Sequence, residues 1–163
     1  MKISPIVSCL VCACYVLHAR ADSVVVFNEI MYHPATNETN LEFVELYNMF
    51  SYDTDVSRWA IKGGVDFDFP DGTVIAATSC LVVAVNPSAL QAESGYPDAL
   101  GPFGGRLANN GETLRLENNM GRLMDEVSYD VEDDWPVAPD GSGVSLVKID
   151  PDTASPPAEN WGW

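Results

Sequence analysis

The sequence has few cysteines and histidines, and this shortage excludes two classes of protein. Four cysteines and two histidines occur in 163 residues, and three of the cysteines lie at positions 9, 12 and 14. A domain that begins after residue 21 keeps only Cys80 and His33. Such a domain has no internal disulfide, and it has too few His and Cys ligands to close a zinc site without carboxylates.

Positive charge is also scarce. The chain has 8 Lys and Arg residues against 24 Asp and Glu residues, for a formal net charge of −16. Such a surface repels a phosphate backbone, and the sequence has no basic stripe, so we expect no nucleic-acid partner. An acidic surface instead favours solubility, cations or a basic partner.

The chain lacks an uncharged apolar run long enough to span a bilayer. Residues 6–17 form a shorter run behind Lys2, and Ala19-Arg20-Ala21 is an A-x-A cleavage pattern. These features predict a signal peptide over residues 1–21, cut after Ala21, and a secreted or periplasmic protein with no membrane span after cleavage. The alternatives are a buried N-terminal strand and an uncleaved anchor, including a lipid anchor at Cys14.

The rest of the chain alternates short strand patterns with turns, which predicts an all-β sandwich or barrel. Residues 81–85 are apolar at every position, which favours a central strand covered on both faces. One helix is expected from Asn86 as N-cap, with Pro87 at the first helical position and Gly95 at the end. The predicted strands cover residues 23–31, 42–48, 58–61, 66–69, 81–85, 112–118, 122–129 and 144–149.

Five patches carry a resemblance to a known family. They are residues 28–34 (NEIMYHP), 42–48 (EFVELYN), 63–73 (GGVDFDFPDGT), 109–116 (NNGETLRL) and 145–151 (SLVKIDP). In their order and spacing they resemble the lamin-tail domain, in the form found in secreted bacterial proteins. The resemblance implies an immunoglobulin-like β-sandwich over residues 22–151, used as an interaction module without established catalytic residues. Residues 152–163 then resemble a tail or a truncated linker.

An acidic loop is the candidate metal site. Asp130, Glu132, Asp133 and Asp134 precede Trp135, and Asp140 lies in the following turn. Calcium prefers several oxygen ligands from one loop, so these residues are candidate ligands, although no EF-hand spacing is present. The competing interpretation is a solvated acidic loop, and no other cofactor is expected.

Two more residues could carry chemistry. His33 could act as a general base with a Ser and an Asp, but no G-x-S-x-G motif accompanies it, and a structural role at a strand end is favoured. Asp125 lies on the apolar face of its strand, so it must be paired or hydrogen-bonded. We expect it to accept from a backbone amide, a Tyr or a Trp.

Cys80 is expected to be a small buried hydrophobic residue, and Trp59 a core residue. Trp135 is expected at one end of the sandwich, and exposure is expected for Trp161 and Trp163. The four tryptophans could alternatively form a platform on which a sugar stacks.

The sequence therefore predicts a secreted, non-enzymatic scaffolding module that holds a partner protein, an envelope component or an extracellular polymer. Affinity would come from a loop cluster or an exposed strand edge. Two alternatives stay open: a calcium-assisted carbohydrate or cell-surface binding module, and an accessory domain of a secreted hydrolase or nuclease whose catalytic part is absent.

Overall fold

The computed structural model describes residues 24–35 and 39–163, so the predicted signal peptide and its cleavage site lie outside the described residues. These residues fold into antiparallel strands with one α-helix, α1 (Pro87–Ser94), and two short 3-10 helices, Thr39–Leu41 and Ala158–Asn160. The strands are β1 (Val25–Met31), β2 (Phe43–Asn48), β3 (Thr54–Asp55), β4 (Ala60–Lys62), β5 (Val65–Asp68), β6 (Val74–Ile75), β7 (Cys80–Ala84), β8 (Gly104–Gly105), β9 (Glu112–Glu117), β10 (Leu123–Tyr129), β11 (Leu146–Lys148) and β12 (Trp161–Gly162).

Two five-stranded sheets face each other. The first sheet has the order β12-β11-β1-β2-β7, the second has the order β10-β9-β4-β5-β8, and β3 pairs with β6 in a small separate ribbon. Alternate residues of each strand point into the space between the sheets, because successive side chains of a strand point to opposite faces. One apolar core results, to which the first sheet contributes Val25, Phe27, Ile30, Val44, Leu46 and Val83, and the second contributes Ile61, Val65, Leu114, Leu116 and Val127.

The helix forms where the capping residues predict it. The Asn86 side chain accepts a hydrogen bond from the Ala89 amide at 3.1 Å, and Pro87 stands in the first turn, where its missing N–H costs nothing. Gly95 ends the helix with a φ of +78°, in the left-handed conformation that glycine adopts without strain. Leu90 anchors the helix on the face of the first sheet that points away from the core, where it packs with Val82 and Ala84.

Each predicted strand is present, with small shifts at the ends. The strand expected from residue 58 begins at Ala60, because Arg58 has a φ of +59°, which is incompatible with a strand. The turn after β9 is a hairpin in which Asn118 accepts from the amides of Met120 and Arg122 at 3.0 Å each. The predicted all-β sandwich with one short helix is confirmed.

The prediction of a central strand at residues 81–85 is wrong, because β7 is the last strand of the first sheet. The strand is apolar because it is covered on three sides. The core covers one face, and α1 covers the other. The lateral edge is covered by Leu100, which donates to the Val82 carbonyl at 2.8 Å and accepts from the Ala84 amide at 2.9 Å.

The C-terminal segment packs into the sandwich. Strand β12 pairs with β11, with Trp161 opposite Lys148. Ser155 and Trp161 are buried, whereas Trp163 is 70% exposed. The expected exposure of Trp161 is therefore wrong, since the ring packs under the tail and contacts Trp135 at a centroid distance of 6.3 Å.

Candidate functional site: the outer face of the first sheet

The outer face of the first sheet is the side that points away from the core. On this face, β1 and β2 form one apolar and one acidic cross-strand pair. Met31 and Phe43 are directly opposite each other in the β1–β2 register, and Glu29 and Glu45 form the next pair on the same face. Helix α1 covers the β7 side of this face, and Phe43 of β2 packs against the cluster that Leu90 forms with Val82 and Ala84. Glu29, Met31 and Glu45 are partly exposed beside the helix.

A groove lies above the Met31–Phe43 row. It has a volume of about 360 Å³ and is bounded by Leu90, Glu93 and Ser94 of α1 on one side and by Gly143 on the other. This volume is near the lower end of the range typical of ligand pockets, roughly 300 to 1,000 Å³. The groove has an apolar floor and an acidic side chain at its wall.

The Glu29–Glu45 pair below the groove consists of two neighbouring carboxylates. Glu29 accepts a hydrogen bond from the Ser145 hydroxyl, and Glu45 Oε1 accepts from Asn28 Nδ2 at 2.8 Å. Burial raises the pKa of Glu29, the Ser145 hydrogen bond lowers it, and the negative charge of Glu45 raises it further. No basic side chain is among the causes of this shift. Each carboxylate of the pair therefore accepts a hydrogen bond, but no basic side chain among the described residues neutralises the negative charge.

The Lys and Arg residues of the described chain lie beside groups other than Glu29 and Glu45. They are Arg58 beside Asp71, Lys62 and Arg115 on the outer face of the second sheet, Arg106 beside the buried Glu42, Arg122 in the hairpin between β9 and β10, and Lys148 in the core. None of these contacts neutralises Glu29 or Glu45, although Arg106 Nη1 also donates to the Thr39 carbonyl at 2.8 Å, two residues before Leu41 at the groove.

Cys80 lies on this face and is exposed, so the expectation of a buried residue is wrong. It begins β7, where the outward position is at the edge of the helix-covered area. Partial desolvation of the sulfur, the hydrogen bond to Glu45 and the charges of Glu45 and Glu29 raise the pKa of the thiol to about 12. The thiolate is the nucleophilic form of cysteine, so this raised pKa disfavours nucleophilic chemistry at Cys80.

His33 is tied to a neighbouring loop. Its Nδ1 lies 2.5 Å from Asp140 Oδ1, and this contact joins the end of β1 to the loop before β11. Ser142, the serine between two glycines, donates its hydroxyl to the Ala138 carbonyl. The structure therefore pairs His33 with an acid but directs this serine elsewhere, which favours the structural role expected from the sequence.

The acidic loop does not gather its carboxylates. Asp130 Oδ1 accepts from the amides of Val131 at 2.7 Å and Glu132 at 3.3 Å, and Glu132, Asp133 and Asp134 are exposed. Among the described residues, no group of three or more His, Cys, Asp or Glu side chains is placed to hold a metal ion. Calcium binding by Asp130, Glu132, Asp133 and Asp134 stays a prediction.

Asp125 is buried between the sheets. Its Oδ2 accepts from the Phe27 amide at 2.9 Å and from the Ser155 hydroxyl, so the expected hydrogen bond to a backbone amide is confirmed. The Phe27 amide is available because the β1–β2 register shifts between Phe27 and Glu29. Burial raises the pKa of Asp125, partly offset by both hydrogen bonds and by Lys148. The carboxylate thus joins β10, β1 and the C-terminal segment.

Lys148 is a buried charged residue that interacts with Asp125. Its Nζ donates to the Thr153 carbonyl at 2.6 Å and lies 5.9 Å from the centroid of the Trp161 ring. Burial lowers its pKa to about 8, although the charge of Asp125 favours the protonated form. Asp125 and Lys148 therefore fasten the C-terminal segment and are not presented to a partner.

The tryptophans do not form a platform. Trp59 is buried, as expected, and Trp161 is buried with its Nε1 donating to the Ser155 carbonyl at 2.6 Å. Trp135 is partly buried against the core, and Trp163 alone of the four is largely exposed. Trp135 and Trp161 are in ring contact, but the burial of Trp59 and Trp161 leaves no exposed surface made by all four rings.

The Glu29–Glu45 pair and the partner of His33 are not apparent from the sequence. Both arise from strand register and loop closure, which bring together residues 16 and 107 positions apart in the chain. The signal that could have found the pair is local. Glu29 and Glu45 each stand one position from a residue that faces the core, so each must face outward.

The two packed antiparallel sheets, with a single core and a helix on one outer face, define an immunoglobulin-like β-sandwich. The sequence matches the family described as Lamin Tail Domain over residues 18–130. The chain therefore belongs to the lamin-tail domain family, whose members are non-catalytic immunoglobulin-like modules. No curated protein matches the sequence significantly. Among the described residues, no helix is both long and apolar enough to cross a membrane.

Proposed function

We propose that this domain is a non-enzymatic interaction module of a secreted or periplasmic protein, and that it works by holding a partner protein or an envelope component. The observation that carries the proposal is the open groove of about 360 Å³ on the outer face of the first sheet. An open, partly apolar groove beside unneutralised charge is a typical recognition surface.

The polar residues that could have suggested catalysis support the same proposal. Asp125 accepts from Phe27 and Ser155, His33 contacts Asp140, and the Cys80 thiol is held protonated. Each of these groups is occupied by a contact that stabilises the fold or a loop. We therefore assign the interaction to the groove beside α1.

Photo-crosslinking from the groove tests the proposal. We would place a benzophenone amino acid at Glu93, which lines the groove, and in a control protein at Ala92, which is exposed and about 100° further around the helix. Each protein is incubated with secreted and envelope fractions of the source cells and irradiated, and the adducts are identified by mass spectrometry. We expect a specific adduct from position 93 that is absent from position 92 and that purified partner reproduces.

Equal adducts from both positions, or none from position 93, would refute a recognition role for the groove. Export is tested separately by sequencing the N-terminus of the protein recovered outside the cytoplasm. We expect the mature chain to begin at Asp22, because the cleavage pattern ends at Ala21. A mature chain that still begins at Met1 would contradict the predicted cleavage.

A further inference from the structure

We propose that the outer face of the first sheet binds an extended peptide segment that places an apolar side chain in the groove and an Arg or Lys side chain on the Glu29–Glu45 pair. This inference rests on the proposed function and gives the partner a chemistry. The partner segment is basic and carries an apolar anchor next to its positive charge.

The spacing of the two subsites fits an extended chain. The Met31–Phe43 pair and the Glu29–Glu45 pair are successive outward-facing rows of the same two strands. Rows two residues apart along a strand are separated by about 7 Å, which is also the distance between side chains i and i+2 of an extended peptide. One apolar and one basic side chain, separated by a single residue, can therefore reach both rows at once.

The negative charge of the Glu29–Glu45 pair favours a positively charged partner segment. Glu29 and Glu45 lie side by side, and the groups that shift the pKa of Glu29 include Glu45 but no Lys or Arg. An Arg guanidinium or a Lys ammonium placed between them would replace the repulsion of two like charges by charge-assisted hydrogen bonds. The guanidinium has the additional advantage of a planar fork that can contact two carboxylates at once.

The same charge argues against a second copy of this chain. The net charge of −16 makes the association of two such faces repulsive, and the exposed acids on this side include Glu93 and Asp98. A basic segment is instead drawn toward the face and is then held by the short-range contacts of the groove. The apolar subsite is what distinguishes this proposal from general attraction to an acidic surface.

A peptide array tests the inference. Each heptapeptide carries Leu, Phe or Trp at one position and Arg or Lys two positions later, and a matched array carries Glu in place of the basic residue. Binding of the labelled domain is measured at physiological ionic strength, where attraction between distant exposed charges is largely screened. We expect members of the basic array to bind and the acidic array to be silent.

Two double variants with the same change of net charge locate the site. Glu29→Gln with Glu45→Gln keeps the oxygen acceptors for Ser145 and Asn28 but removes the paired charge, and we expect binding to fall about tenfold or more. Asp66→Asn with Asp68→Asn changes the outer face of the second sheet, and we expect binding to change less than about twofold. Thermal melting of both variants checks that the fold is kept.

The outcomes separate this inference from the proposed function. If no peptide of the basic array bound the domain, or if both double variants lost binding equally, the proposed peptide site would be refuted. If a crosslinked partner joined position 93 through a neutral or acidic segment, the interaction role would stand and the partner chemistry would be wrong. If array peptides bound at Glu29 and Glu45 but no partner crosslinked from position 93, the peptide site would stand and the proposed function would fail.

Discussion

Replacement of Asp125 by Ala should destabilise the domain more than any other loss of a single charge among those described. Asp125 is 2% exposed, and its Oδ2 accepts from the Phe27 amide and the Ser155 hydroxyl. A buried donor that loses its acceptor costs about 1–3 kcal/mol. Two such donors, together with the loss of the acid near the buried Lys148, give an expected decrease of about 3–5 kcal/mol in the free energy of unfolding.

Urea denaturation at pH 7, followed by tryptophan fluorescence, measures this decrease. Trp161 is a suitable reporter because its Nε1 donates to the Ser155 carbonyl, next to the site of the change. The matched control is Glu126→Ala on the same strand, because Glu126 forms an exposed pair with Arg115 at 2.7 Å. An exposed pair contributes at most about 1 kcal/mol, so this control should remain close to the unchanged protein.

The variant Asp125→Asn separates hydrogen bonding from charge. Its amide oxygen can still accept from the Phe27 amide, so we expect a smaller loss than for Asp125→Ala. If Asp125→Ala were no more destabilising than Glu126→Ala, the carboxylate would not hold the two sheets together, and the assignment of Asp125 as an inter-sheet contact would be refuted.

Three further changes test other parts of the fold. The folded pKa of Lys148, about 8, lies below the ordinary 10.5, so the unfolded state binds more protons between pH 7 and pH 9 and stability rises with pH in this window. The expected rise in the free energy of unfolding is about 1.4 kcal/mol. Lys148→Met should abolish this rise, as measured by urea titration. Asn48→Ala should cost about 2–4 kcal/mol in chemical denaturation, because the buried Nδ2 donates to the carbonyls of Tyr52, Ile75 and Ala76 and Oδ1 accepts from Phe50; an unchanged midpoint would contradict it. Gly63→Ala should lower the melting temperature far more than Gly72→Ala. A Cβ at Gly63 would lie 2.2 Å from the Thr113 carbonyl oxygen, whereas a Cβ at Gly72 would have no atom within 4 Å. Both glycines have positive φ, so the backbone strain is common to the two variants and the difference reports the steric clash.

The sequence predicts the elements well because their signals are local. The helix is an example, since Asn86, Pro87 and Gly95 act on neighbouring backbone groups and need no distant partner. The strand pattern of residues 42–48 is less clear, because Phe43 and Tyr47 put aromatic side chains on the outer face beside Glu45. Phe43 packs against Leu90 of α1, but no local signal shows that a helix beginning 44 residues later, at Pro87, lies over it.

The edge position of β7 and the Glu29–Glu45 pair could not be predicted from the sequence, because both depend on contacts between distant parts of the chain. A fully apolar strand indicates that its faces are covered, but it does not indicate what covers its lateral edge, and Leu100 does so here. The Glu29–Glu45 pair depends on the register of β1 against β2, which the bulge after Phe27 shifts by one residue. A one-residue error in this register would have turned one of the two carboxylates toward the core.

The acids of this chain therefore divide into two groups by the direction they face, and stability measurements can tell the groups apart. Glu42 and Asp125 point inward and accept from the backbone amides of Leu107 and Phe27, so their carboxylates hold segments of the fold together. Glu29 and Glu45 point outward and oppose each other across two strands, where like charges destabilise a sheet by about 0.2–1 kcal/mol.

Glu29→Gln should consequently leave the free energy of unfolding at pH 7 unchanged or raise it by up to about 1 kcal/mol. The folded pKa of Glu29 is raised, so the folded state retains its proton to higher pH and the contribution of Glu29 to stability falls as the pH rises through the window above 4.5. Gln carries no proton to lose, so the variant should lack this decline in urea titrations from pH 4 to pH 7. A loss of stability as large as that of Asp125→Ala would show that the Glu29 charge serves the fold. The absence of such a loss would mean that the fold does not need the Glu29 charge, as expected if this charge serves the binding of the proposed basic segment.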